Sequence, residues 1–87
     1  MTANELDLDG WKRQLELNSG YAKVTELAQN DAAFSATVSA PMRPAEVEGW
    51  LSRLQAGGAN RLTESSETQK PGGRVNVSVR VERPRNS

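Results

Sequence analysis

Valine occupies every second position from Val75 to Val81, with Arg74, Asn76, Ser78 and Arg80 between. Strict alternation of apolar and polar residues is the pattern of a strand with one buried and one wet face. A single such strand is not stable in water. The valine face needs further strands beside it and a second layer on top. The rest of the chain must supply both.

A second alternating run lies upstream. Phe34, Ala36, Val38 and Ala40 interleave with Ser35, Thr37 and Ser39, which predicts a second half-buried strand. Helical spacing accounts for the second layer. Leu8, Trp11 and Leu15 form one stripe, with Asp7 and Asp9 near the positive end of the helix dipole and Gly20 as a left-handed stop. The spacing predicts a helix over 7–19. Val47, Trp50, Leu51 and Leu54 form another stripe, opened by Pro44 and closed by Gly57 and Gly58. Pro41 and Pro44 bracket the short connection before it. Two weaker strands complete the reading. Residues 21–27 carry Tyr21, Val24 and Thr25, and Gln29-Asn30-Asp31 is turn material. Residues 61–69 are polar, with Leu62 their only large apolar residue, and Lys70-Pro71-Gly72-Gly73 is a turn.

The order is helix–strand–strand, twice, with a tryptophan on each helix. Two such units sharing one sheet give an α+β fold. The expected architecture is a ferredoxin-like sandwich in circularly permuted αββαββ order. A four-stranded antiparallel sheet carries both helices on one face. Residues 1–6 are expected to be a flexible lead, 7–83 the folded domain and 84–87 a disordered tail. The expected core is Leu8, Trp11 and Leu15; Val24; Phe34, Ala36 and Val38; Val47, Trp50, Leu51 and Leu54; and the four alternating valines.

Composition removes several classes of chemistry. The 87 residues include no Cys and no His. Zinc fingers, thiol chemistry, histidine triads and disulfide scaffolds are therefore excluded. Eleven basic residues balance eleven acidic ones. A zero net charge weighs against nucleic acid, which needs a clustered basic excess. The balance is uneven along the chain: Glu5 to Asp9 is acidic, and Lys70 to Ser87 carries five bases against Glu82. No apolar run approaches the ~20 residues of a membrane span, and no signal-peptide core is present. The missing cysteines fit a periplasmic and a cytosolic setting equally.

Individual motifs are weak. Glu5, Asp7, Asp9, Gly10 and Glu16 approach the spacing of a calcium-binding loop. Glu5 stands where the loop wants Asp, Lys12 where it wants a packed aliphatic, and no entering helix fits before it. An acidic helix N-terminus explains the same residues. Lys12, Lys23 and Lys70 lie in polar contexts, and no pattern places two carboxylates in a cleft. Gly57-Gly58 falls at the wrong helix end for phosphate, and Gly72-Gly73 is a hairpin turn. Base stacking on the open sheet face would need aromatic rings, and Tyr21 is the only candidate. No enzyme, no metal and no cofactor is expected. An interaction module remains. The polar strand 61–69 is a candidate edge. Leu6, Leu17 and Tyr21 fall off the main helical stripe. With Lys23, Leu62 and Glu64 they are the candidate partner contacts.

The stretch from Val38 to Gly58 holds a strand, then a helix with Trp50-Leu51-x-x-Leu54, then a glycine stop. Pro71-Gly72-Gly73 then leads into the alternating valines. This resembles the C-terminal periplasmic domain of the M protein of bacterial type II secretion systems, over roughly residues 36–82 in residue character. The L protein of that machine and the PilN and PilO proteins of type IV pili carry similar domains. The Trp-Leu pair and the Pro-Gly before the last strand favour the M protein over the L protein. The resemblance implies a periplasmic domain, anchored in the inner membrane by a helix outside this chain, with no catalytic role. It implies pairing with itself and with the L protein, and exchange between these pairs would help couple a cytoplasmic ATPase to pseudopilus assembly. An alternative of another class is a soluble ferredoxin-like module for a ligand or RNA.

Overall fold

The structure, a computed structural model, describes residues 7–20, 22–55 and 60–84. It contains α1 (Leu8–Ser19), β1 (Lys23–Gln29), β2 (Ala33–Met42), α2 (Val47–Gln55), β3 (Arg61–Lys70) and β4 (Arg74–Pro84). The strands form one sheet in the order β1-β2-β4-β3, with every neighbouring pair antiparallel. Each half of the chain is a helix followed by two paired strands. The second strands of the two halves, β2 and β4, meet at the centre. This is the α+β sandwich in αββαββ order, and its uncovered face is the one opposite the helices.

Local chemistry sets each element. Asp7 caps α1, its carboxylate accepting from the Gly10 N–H at 2.8 Å. Asp9 and Gly10 therefore sit in the first turn of a helix, not in a calcium loop. Gly20 ends the helix at φ 70° and ψ −111°. The φ is positive as expected, but the ψ lies outside the left-handed helical region, where only glycine is at ease. The Asn30 side chain accepts from the N–H groups of Ala32 and Ala33 at 2.7 and 2.8 Å, which closes the β1–β2 turn. A 3-10 turn over Pro44–Glu46 leads into α2, and the Glu46 carboxylate accepts from the Arg43 N–H at 3.0 Å. Between β3 and β4, Gly72 and Gly73 take φ of 80° and 78°, values that favour glycine.

Several element boundaries differ from the sequence expectation. β1 begins at Lys23 rather than residue 21, and Tyr21 lies outside the described residues, as do residues 1–6, the Gly57-Gly58 stop and the tail after Pro84. β2 runs through Pro41 to Met42. Pro41 is tolerated because β1 starts with Lys23 opposite Ser39, so β2 beyond Ser39 has no paired strand on that side among the described residues. β1 carries a bulge between Thr25 and Ala28, where Glu26 takes φ 52°. β3 has a bulge between Leu62 and Glu64 and is regular from Glu64 to Lys70.

The core lies between the sheet and the helices. Trp11 and Leu15 of α1 and Val47, Trp50 and Leu54 of α2 pack on the inward residues of β2 and β4. Ala40 and Met42 belong to this core as well. Leu8, Val24 and Leu51, expected inside, are half-buried at its margin. The Trp11 and Phe34 rings meet tilted, with centroids 5.6 Å apart.

The two tryptophans cross-link the halves. The Trp50 indole N–H of α2 donates to the carbonyl of Ser19, the last residue of α1, at 3.2 Å. The Trp11 indole N–H of α1 donates to Asn60 Oδ1 at 3.1 Å, and Asn60 Nδ2 donates to the Leu54 carbonyl of α2 at 2.8 Å. Each buried ring thus satisfies its polar atom on the far half of the domain. Asn60→Ala orphans both the Trp11 donor and the Leu54 carbonyl. We expect it to cost about 1–3 kcal/mol, read as a lower urea midpoint, while Asn18→Ala on the exposed face of α1 leaves the midpoint within ~0.5 kcal/mol of wild type.

Candidate functional site

Inward residues are apolar on β2 and β4, so the residues between them form the opposite, uncovered face. The strand registers arrange that face in rows. One row runs Lys23, Ser39, Ser78, Ser66 from β1 to β3. The next runs Thr25, Thr37, Arg80, Glu64, and the one beyond it Ala28, Ser35, Glu82, Arg61. Hydroxyls and charges dominate, and among the described residues the face carries no aromatic ring.

Its interactions are local. Thr37 Oγ1 donates to Glu26 Oε2 at 2.7 Å, which anchors the bulged residue of β1. Arg80 Nη2 donates to Ser35 Oγ at 3.4 Å. Two opposite-charge pairs face each other across β3 and β4, Glu64 with Arg80 and Arg61 with Glu82. A shallow depression of about 370 Å³ lies among Glu26, Thr37, Glu64, Ser66, Ser78 and Arg80. Its size suits a small molecule, but such sites are mostly apolar and this lining is polar. An apolar cleft of about 200 Å³ beside Trp50, Met42 and Arg53 is smaller than that class of site. Among the described residues no cluster of three or more acidic side chains is placed to hold a metal ion.

The β3 edge has a different character. From Thr63 to Lys70 every residue is exposed, and among the described residues the strand pairs only with β4. Even its helix-side residues, Ser65, Glu67 and Gln69, are polar and uncovered, although their partners Val79, Val77 and Val75 are buried. Among the described residues nothing covers β3 from Thr63 to Lys70 on either face or along its outer edge. β1 is also an edge, but its bulge at Glu26 breaks the run of paired backbone groups.

The four candidate contacts among the described residues do not make one patch. Leu17 is 78% exposed on the outer side of α1, the only exposed large apolar residue among those described. Lys23 and Glu64 are exposed on the open face but at opposite edges, three strand spacings or roughly 14 Å apart. Leu62 is half-buried and packs against the core. It sits opposite Val81 on the helix side, which is why the core claims it. Leu6 and Tyr21 lie outside the described residues. The polar composition of 61–69 marks this strand as a candidate edge, and the sheet order places it there, regular from Glu64 to Lys70.

No helix among the described residues is long and apolar enough to cross a membrane. No family model, curated protein or solved structure matches this chain.

Proposed function

We propose that the domain is a non-enzymatic scaffold module. It acts by protein–protein association in the inner-membrane platform of a type II secretion system, as the M protein's periplasmic domain does. The observation that carries the reading is the bare β3 edge beside an open polar sheet face. A small sandwich with an edge that is regular from Glu64 to Lys70 is suited to adding a partner's strand through main-chain hydrogen bonds. Such a contact is small and therefore exchangeable, which is what alternation between self-pairs and pairs with the L protein requires. The residue character of 36–82 supports the reading, and Trp50-Leu51-x-x-Leu54 with the Pro71-Gly72-Gly73 lead into β4 favours the M protein over the L protein. In this reading the domain works in the periplasm, tethered by an anchor helix outside this chain.

The test is a titration of isotope-labelled domain with the periplasmic domain of an L protein, followed by amide chemical shifts. The reading expects saturable shifts and a faster-sedimenting complex. No shift at several hundred micromolar partner overturns the assignment to this machine. Shifts produced instead by a PilN or PilO domain move the assignment to a pilus system.

A further inference from the structure

We propose that the β3 edge from Glu64 to Lys70 pairs with the same segment of a second copy. The strands run antiparallel about a twofold axis through Glu67, doubling the four-stranded sheet. The proposal rests on the association reading above and assigns it a surface and a register.

Three observations select this arrangement. The edge is exposed throughout this segment and free of bulges, whereas β1 is interrupted at Glu26. The faces alternate regularly: Glu64, Ser66, Thr68 and Lys70 lie on the open face, opposite Arg80, Ser78, Asn76 and Arg74 of β4. Directly opposed residues of an antiparallel pair share a face. A twofold that keeps both helix layers on one side must therefore match open-face residues with open-face residues. Charge then distinguishes the allowed registers. With the axis at Glu67, Glu64 of each copy stands opposite Lys70 of the other, and Ser66 opposite Thr68. Moving the axis to Ser66 sets Glu64 against Thr68, and moving it to Thr68 sets Lys70 against Ser66. Neither neighbouring register gains an opposite-charge pair.

The same register sets Glu67 against its own copy on the helix side of the sheet. Like charges directly opposite weaken a strand pair. A contact of one strand edge also falls below the ~1,200 Å² at which interfaces become stable. The dimer is therefore weak and exchanging, and Glu67 is built to keep it so.

Sedimentation velocity of three variants tests the proposal, with a thermal melt confirming that each is folded. Lys70→Glu turns both attractive pairs repulsive and is expected to weaken the dimer by about tenfold. Combining it with Glu64→Lys restores opposite charges across the axis and is expected to recover most of the affinity. Glu67→Gln removes the axial repulsion and is expected to tighten the dimer severalfold. A dimer indifferent to Lys70→Glu and Glu67→Gln overturns the β3 register while leaving self-association standing. A strict monomer overturns both. A monomer whose binding to an L-protein domain is sensitive to Lys70→Glu gives the edge to that partner and overturns the second-copy pairing.

Discussion

Replacing Trp50 by alanine is expected to leave most of the domain unfolded at room temperature. The ring is 2% exposed and lies between β2, β4 and the end of α1. Truncating a buried tryptophan costs about 3–5 kcal/mol in lost transfer energy and residual cavity. A chain of this size has a total stability of about 4–13 kcal/mol, and the lower part of that range suits a small single core. The substitution also leaves the buried Ser19 carbonyl without its indole donor. Trp50→Phe separates the two contributions. It keeps most of the packing and loses the hydrogen bond, and it should cost about 1–2 kcal/mol. Urea denaturation followed by circular dichroism reads both. A wild-type midpoint for Trp50→Ala would mean that α2 does not pack on the sheet as described.

The second large effect separates the two faces of the sheet. Val79 is 1% exposed at the centre of the core, opposite Val38 on one side and Ser65 on the other. Val79→Asp places a carboxylate there without a partner. Burying an unpaired charge costs more than the whole stability of such a domain, unless the group is protonated or the fold opens. The variant is expected to show no cooperative unfolding transition. Ser78→Asp moves the same carboxylate one residue along the chain, to the open face between Ser39 and Ser66. It should fold normally, with a change within ~1 kcal/mol. Equal tolerance of both variants would contradict the assigned faces of β4.

These two tests rest on patterns that were legible before any coordinates. The alternation of Val75 to Val81 and of Phe34 to Ala40 specified which side of each strand is buried, because the period of two leaves no other choice. The stripes through Trp11 and Trp50 placed both helices on that side. The strand order was not legible. β3 is polar on both faces, which marks it as a candidate edge but does not say which strand it pairs with. Pro41 reads as a break, which hid Met42 from the expected core. Only the start of β1 opposite Ser39 shows why a proline fits there. Leu8, Val24 and Leu51 have core character but lie at the margin, where the layers end.

The candidate contacts divide on the same ground. Exposure of Leu17, Lys23 and Glu64 follows from their places off the apolar stripes. Whether they share a surface depends on topology, and the sheet order sends Lys23 and Glu64 to opposite edges while Leu17 stays on the helix layer. Leu62 looked like a lone apolar residue on a polar strand. Its register opposite Val81 makes it part of the packing. Asn60, which ties Trp11 to α2, has no sequence signature, since its role depends on two groups far from it in the chain.

The proposed scaffold role requires this domain to associate reversibly with its own kind. Sedimentation velocity of the wild-type chain from low micromolar to near-millimolar concentration tests it most directly. The weight-average sedimentation coefficient is expected to rise smoothly from monomer toward dimer and to return to the monomer value on dilution. A single monomeric species across the whole range would contradict it.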